Sequence, residues 1–462
     1  MTLTGYKNIA PAVLFLFLLN LAAGLIFINE GLFHHDSVLL ARAVEDTYAS
    51  LRLQPAARSR YGSVIVNSVI YLPFFLMGQD ADFATRFSSV LFHSLSICML
   101  FLLTYEILKS VRTAFVSGLL LSFTPFYFSP NTWGKEHGLY ITCILFSLFL
   151  LASGLSKNNL ILIALSSFMA AFSVSVKESA LAVLPLYLIL YLQPELTGRR
   201  MRISVRKEWR DPKALACLIL PMAAVLAILY FTYLKTEFYR ELVLRDNTTA
   251  LFLGPFSRML PVAFKDLALC VPPVTLVLFA LGLTRMFLRK EGFAPLFLIA
   301  WFGLIFYFGN IETFVLRYLD IVIIPVYIGA AYFLSGLHKK DKLAANAVIL
   351  YLVASMFLFM YPMLKFRRNY NGEKRYAMFV RDKTEPESII ITMDDSAFIE
   401  YYADRRTTAH PIDDEEGMLS FMQKMRSSIR KGAPVYVTGS AFSYDDRLTF
   451  RDLFNRFFDT KS

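Results

Sequence analysis

Leu139-Tyr-Ile-Thr-Cys-Ile-Leu-Phe-Ser-Leu-Phe-Leu-Leu-Ala-Ser-Gly-Leu155, a four-residue polar turn Ser156-Lys-Asn-Asn159, then Leu160-Ile-Leu-Ile-Ala-Leu-Ser-Ser-Phe-Met-Ala-Ala-Phe-Ser-Val-Ser-Val176 and at once Lys177-Glu178: this stretch decides the fold class. Each apolar run covers about 25 Å as a helix, close to the roughly 30 Å of a bilayer's hydrocarbon core. A turn this short leaves the two runs antiparallel and adjacent. Similar runs occur at about 9–30, 87–109, 113–129, 179–193, 214–234, 269–287, 293–309, 319–336 and 343–362, making eleven candidate spans. The composition agrees. The 462 residues are 56% hydrophobic and 18% charged, where a soluble chain carries about 25% charged residues, and the mean hydropathy is +0.50. The chain therefore reads as a polytopic, all-α membrane protein.

The net charge of +11 does not point to nucleic acid, because the basic residues collect in short segments between apolar runs. That is the pattern of the positive-inside rule and of contact with anionic lipid headgroups. The four cysteines, Cys98, Cys143, Cys217 and Cys270, lie in or beside apolar runs and suggest neither a disulfide framework nor a metal knuckle. The first run follows a single charge, Lys7, and lacks a small-residue cleavage site, so it reads as a signal anchor with a cytoplasmic N-terminus. Ser63 to Gly78 is ambiguous, since it is short and carries Pro73. If it does not cross, Lys109–Arg112, Lys157, the cluster Arg199, Arg200, Arg202, Arg206, Lys207, Arg210 and Lys213, then Arg289-Lys290 and Lys339-Lys340 all fall inside. If it crosses, all of them move outside, against the rule. Residues 31–86 are therefore expected to form one long extracytoplasmic loop, with 63–78 in or re-entering the interface.

From Lys365 the composition changes: 33 of the 83 charged residues lie in the last 98 positions. Two units are expected, a membrane domain over 1–364 and a small soluble α/β domain over 365–462 on the extracytoplasmic side. Ser388–Met393 and Pro434–Thr438 have the apolar character of buried strands, while Glu415–Arg430 and Arg447–Phe458 have helical spacing. Gly432 suits a helix stop. Strands alternating with helices imply a parallel sheet.

With that topology, the polar residues hardest to explain all reach the outer face. The first group is His34-His35-Asp36-Ser37, followed by Arg42, Glu45 and Asp46 on an amphipathic segment. A carboxylate beside two histidines suits a general base or a metal ligand; as an alternative, Asp36 caps the helix that follows. On one unbroken helix Asp36 and Glu45, nine positions apart, point to opposite sides. The second group is Lys135-Glu136-His137, either site residues or an interfacial ion pair. The third is Lys177-Glu178, functional suspects or snorkelling side chains. The fourth is Glu312 with Arg317-Tyr318, where belt anchoring explains the tyrosine better than the arginine. Lys177 and Arg317 would face Asp36, Glu45 and Glu136 at the bilayer rim, an arrangement suited to a substrate whose phosphate sits at headgroup height.

These spaced residues resemble the GT-C superfamily of membrane glycosyltransferases, especially its aminoarabinose-transferase and protein O-mannosyltransferase branch. Asp36 stands at the acidic position of the family's first outer loop, with Ala41-Arg-Ala-Val-Glu45 after it. Gly78 to Arg86 is similar to the stretch closing that loop, Glu136 to the acid of the second loop, Val176-Lys177 to the Thr-Lys-Gly site, and Arg317-Tyr318 with Pro325 to the Arg-Tyr run. Departures are Ser37 for a second acid, Glu178 for glycine and Tyr61-Gly62 for a Pro-Pro-Leu element.

The resemblance implies transfer of a sugar from a polyprenyl-phosphate donor to an acceptor glycan, lipid or protein in the plasma membrane. It also implies inversion, with Asp36 as base, Glu136 as second carboxylate, and Lys177, Arg317 and Tyr318 on the donor phosphate. Glu45, Arg86, His35, Lys135 and Glu178 become supporting or acceptor-side residues. A divalent ion on Asp36, His34 or His137 is left open. Residues 236–268, with Arg240, Arg245 and Arg258, are expected to form a lid that carries the sequon Asn247-Thr-Thr249. A secondary transporter or lipid flippase is the competing reading, although Glu106 is the clearest acid inside a span and lies near the cytoplasmic end.

Overall fold

Apolar runs separated by helix-capping residues fold as a helical bundle. The computed structural model describes residues 9–56, 61–197, 200–203, 212–229, 259–308, 319–411 and 415–443, together with Arg451 and Phe454. Residues 236–258 of the lid expected at 236–268, with its sequon, Glu312 and Arg317-Tyr318, lie outside the described residues, as does most of the helix expected at 447–458, while 259–268 of that segment are helical. In chain order the membrane part contains α1 (Ala10–Ile26), α2 (His35–Ser50), α3 (Tyr61–Leu76), α4 (Ala81–Leu108), α5 (Val111–Ser122), α6 (His137–Lys157), α7 (Leu160–Val176), α8 (Leu184–Leu192), α9 (Pro212–Leu229), α10 (Met259–Cys270), α11 (Pro273–Leu288), α12 (Ala294–Phe302), α13 (Ile324–His338) and α14 (Lys342–Asn369). The 139–176 hairpin forms as expected. Asn158 closes α6 in the left-handed conformation, and the Asn159 side chain accepts from Ile161 N and Leu162 N to start α7.

Around this hairpin α4 packs on α1, α5 and α6, α7 packs on α6 and α9, and α11 packs on α13. Gly282 of α11 lies against the backbone of Gly329 on α13, where a Cβ would collide with the Gly329 carbonyl. Small residues permit this close approach, which replaces the hydrophobic drive that lipid does not supply.

The eleven runs do not map onto eleven full-length helices. Among the described residues three helical stretches are long and apolar enough to cross a membrane, Ala81–Leu108, His137–Lys157 and Lys342–Lys383, and five if each bent pair counts as one. The straight spans expected at 113–129 and 269–287 are both broken by proline. Val111–Ser122 meets Pro125–Thr132 at 72°, and Pro261–Cys270 meets Pro273–Leu288 at 99°, because a proline ring cannot continue the preceding turn. Ser63–Gly78 is largely α3, a 16-residue helix with Pro73 inside it. The basic 194–213 stretch includes an antiparallel hairpin, β1 (Pro194–Thr197) with β2 (Arg200–Ile203).

The C-terminal part adds α15 (Gly372–Lys383), β3 (Ile389–Ile391), β4 (Arg406–Thr408), α16 (Glu415–Arg430) and β5 (Val435–Val437). The sheet is parallel in the order β4-β3-β5, with Ile390 paired to Thr407 and Tyr436. β3, α16 and β5 fall where the apolar pattern puts them. Strand β4, Arg-Thr-Thr, carries no apolar signal and holds its place only by pairing. Gly432, at φ +89°, ends α16, and Ala433 N donates to Ser428 O. Residues from α2, α3 and the start of α4 share one hydrophobic core with this part: Val38, Val44 and Val64 pack with Ala377, Ile390 and Phe398.

Candidate active site

Phe27 ends α1, and the chain from Asn29 to His34 runs across one end of the bundle before α2 begins. The cap of α2 is His34, whose Nδ1 accepts from Asp36 N at 3.1 Å. This corrects the expectation that Asp36 caps the helix: Asp36 sits in the first turn, where the helix dipole favours an acid. Its side chain is thus available to a neighbour, and that neighbour is Lys135, with Nζ 2.9 Å from Asp36 Oδ2.

Three features bring Lys135 there. The loop after the Ser129–Thr132 turn of 3-10 helix passes against Leu32 through Gly134, whose φ of +85° suits glycine and whose Cβ would lie 2.6 Å from Leu32 Cδ2. Trp133 packs on Phe33 with ring centroids 5.1 Å apart, and the Arg367 guanidinium covers both rings at 4.6 and 4.3 Å. Ser89 Oγ donates to the Lys135 carbonyl. The Lys135 side chain is 1% exposed and that of Asp36 is 25%. An ammonium so buried is tolerable only beside a carboxylate, so the pair is part of the fold as well as of the site.

Two residues further on, His137 opens α6 and donates toward Asp320, with Nδ1 to Oδ2 at 2.6 Å; both are buried. Lys177 Nζ lies 3.2 Å from His137 Nε2 and 3.4 Å from Nδ1, so it rests against the ring rather than at one nitrogen. It also sits 5.0 Å from the Tyr140 ring centroid. Lys177 reaches this position because α7 ends at Val176 and Lys177 is extended before the 3-10 turn Glu178–Val183. The start of α3 docks beside it, with Ser63 Oγ donating to Val176 O at 3.1 Å and Gly62 against Ser175.

Asp36, Lys135, His137 and Lys177 therefore gather at one bundle end, with buried Glu136 between two of them in the chain. Lys135, expected either as a site residue or as the interfacial partner of Glu136, is deeply buried and pairs with Asp36. Glu45 leaves α2 on the other side, as the helical spacing requires: Oε1 accepts from Ala81 N at 2.7 Å and from Tyr401 Oη at 2.9 Å. Burial is the main cause that raises the Glu45 pKa above the usual carboxylate value, partly offset by those two bonds. Arg86 is a strut, pairing with Asp82 at 2.6 Å and reaching the Asn29 carbonyl. His35 is exposed and Glu178 half-buried.

Among the described residues no three His, Cys, Asp or Glu side chains come together as a metal would need. Lys135 occupies a carboxylate oxygen of Asp36, and His137 is turned to Asp320, so the residues proposed for a divalent ion do not form a donor set.

The C-terminal part holds the segment leading to Asp36. Leu32 N donates to Tyr402 Oη at 2.9 Å, and Asn371 donates through Nδ2 to Leu32 O and through its backbone to Glu30, both at 2.9 Å. Lys374 pairs with Asp82 at 2.9 Å. Asp320, Arg367, Asn371, Lys374 and Tyr402 were not identified from sequence. Only Asp320 carried a usable signal, as an acid at the start of an apolar run.

The family model described as dolichyl-phosphate-mannose-protein mannosyltransferase matches residues 64–231. No curated protein matches the chain by sequence. Among solved structures, the archaeal oligosaccharyltransferase AglB from Archaeoglobus fulgidus, in complex with an inhibitory peptide and a dolichol-phosphate, superposes with a TM-score of 0.56 at 11% identity over 86% of this chain. This chain spans 64% of that enzyme's length. ArnT from Cupriavidus metallidurans, bound to undecaprenyl phosphate, superposes at 0.58 with 14% identity, covering 96% of this chain and 91% of ArnT. The arabinofuranosyltransferase AftD from Mycobacteria gives 0.56 at 13% identity, covering 94% of this chain and 35% of its own. The chain therefore shares the fold of these membrane glycosyltransferases, and its family match is confined to residues 64–231.

Proposed function

We propose that the protein transfers a sugar from a polyprenyl-phosphate donor to an acceptor hydroxyl at the extracytoplasmic face of the plasma membrane, with inversion at the anomeric carbon. The observation that carries this reading is the buried Lys135–Asp36 pair, 2.9 Å apart, on the same loop as the His137–Lys177 contact. It fixes a partly exposed carboxylate in position as a proton acceptor, and the Lys177 ammonium is the cation for a phosphate leaving group. The acceptor hydroxyl gives its proton to Asp36 as its oxygen bonds to the anomeric carbon, while the bond from that carbon to the phosphate oxygen breaks. Charge grows on the departing phosphate, which the buried Lys177 stabilises, and Arg317 and Tyr318 are assigned to the same phosphate. Glu136 orients the acceptor. The neighbours that bind dolichol-phosphate and undecaprenyl phosphate support a lipid-phosphate donor.

The test is transfer from radiolabelled polyprenyl-phosphate sugars in membranes, comparing wild type with Asp36→Asn. Turnover by the wild type, with a roughly 10²–10⁴-fold loss in the variant, is expected. A donor left intact by the wild type across sugars and acceptors would overturn the reading in favour of transport.

A further inference from the structure

At the bundle end away from Asp36, α5 and α14 do not close on each other. Between them is a groove of about 370 Å³ lined by Phe115, Leu119, Ile349 and Val353, with Arg112 and Asn346 at its mouth. The volume lies in the lower part of the range of ligand pockets, roughly 300–1,000 Å³. Both walls repeat every seven residues, 112 to 119 and 346 to 353, so the groove runs about 10 Å along the helices. From there α14 continues to Arg367 over the Phe33–Trp133 pair, which places the groove about 20–30 Å from the candidate active site. It is therefore separate from that site.

The mouth is cationic. Lys109 and Arg112 flank the turn between α4 and α5, and Lys339, Lys340 and Lys342 the turn between α13 and α14. The nearby acids are engaged: Glu106 with Lys109 at 2.7 Å, and Asp341 in capping Ala344 N. Arg112 donates through Nη2 to Asn346 Oδ1 at 2.9 Å, but its buried Nε–H meets no acceptor. Leaving such a donor unmatched is costly, and a phosphate oxygen is the acceptor that a guanidinium edge fits best. An apolar channel below and a cationic rim with an unmatched donor above describe one amphiphile.

We propose that this groove binds an anionic phospholipid of the leaflet on the basic side, one acyl chain between α5 and α14 and its phosphate on Arg112. A neutral zwitterionic lipid has no net charge for the rim, and free phosphate has nothing for the channel.

The test uses the full chain purified in detergent, with native mass spectrometry reading retention of added phosphatidylglycerol or phosphatidylcholine of the same acyl chains. Wild type should hold one phosphatidylglycerol more tightly than phosphatidylcholine, and millimolar inorganic phosphate should not displace it. Arg112→Gln should weaken phosphatidylglycerol about fivefold, the effect of one basic residue near a lipid phosphate, and leave phosphatidylcholine unchanged, while Arg112→Lys restores most of the preference. Leu119→Trp, which fills the channel, should block the lipid while Arg112 remains. Equal retention of both lipids, displacement by free phosphate, or the same loss from Lys290→Gln at the basic turn between α11 and α12 would overturn the proposal. Because Asp36→Asn should retain the lipid fully, failure here and failure of the transferase reading are distinguishable.

Discussion

Lys135→Met separates positioning from direct catalysis. The substitution keeps the length and apolar stem and removes the ammonium 2.9 Å from Asp36. Removing one partner of a buried ion pair costs about 3–5 kcal/mol, because the remaining charge is left uncompensated. Asp36 is 25% exposed, so water screens part of its charge and the cost falls to about 2–3 kcal/mol. Part of that appears as displacement of the carboxylate, and a misplacement near 1 Å costs roughly 10²-fold in rate. The expected result is a kcat about 10²-fold lower with KM for the donor little changed. The assay is steady-state transfer from a labelled polyprenyl-phosphate sugar, run as a double-mutant cycle with Asp36→Asn. Since Lys135 acts through Asp36, the double variant should be no slower than Asp36→Asn alone. If the two losses multiply, or if KM takes the whole effect, Lys135 touches substrate itself and the positioning assignment is wrong.

Lys177→Gln should raise KM for the donor and lower kcat, with Lys177→Arg recovering part of the affinity, measured with the same transfer assay; unchanged kinetics would remove Lys177 from the phosphate site. Gly134→Ala places a Cβ at φ +85° and 2.6 Å from Leu32, so thermal unfolding should show a loss of about 1–2 kcal/mol together with lower activity. Burial raises the folded-state pKa of Glu45 above its usual 4.5. The folded state therefore holds that proton longer than the unfolded chain, so the contribution of Glu45 to stability is fully present below 4.5 and is lost as pH rises from there through the folded pKa. Glu45→Gln, which keeps an acceptor for Ala81 N and Tyr401 Oη, should flatten that decline; an unchanged pH profile of unfolding would show that Glu45 does not cause it.

Much of the candidate site was legible because ionisable residues next to apolar runs are rare enough to stand out. Asp36, Lys135, Glu136 and Lys177 were found on that ground, and the nine-residue spacing correctly sent Glu45 to the other side of α2. Partners were not legible. Lys135 stands beside Glu136 in the chain, yet its observed pairing is with a residue 99 positions away, set by the Gly134 turn and the Arg367 clamp. His137 looked like a metal candidate from its neighbours and proved to be bound to Asp320. Arg86 was singled out only through the resemblance of Gly78–Arg86 to a family stretch, and nothing in that stretch announced its contacts with Asp82 and the Asn29 carbonyl.

Composition and charge distribution alone determined that this is a helical membrane protein with a charged C-terminal part, since both depend on sums over many residues and tolerate local error. Helix length, bend and partner depend on a few local events: Pro125 and the Pro272-Pro273 pair turned two expected straight spans into broken ones. Strand β4 owes its existence to a neighbouring strand rather than to its own Arg-Thr-Thr. The hold of Tyr402 and Asn371 on the Leu32 segment joins residues more than three hundred positions apart. Only the tertiary structure could decide these, because a hydrogen bond or ion pair needs both partners within about 3 Å, and sequence separation carries no information about which distant groups will meet.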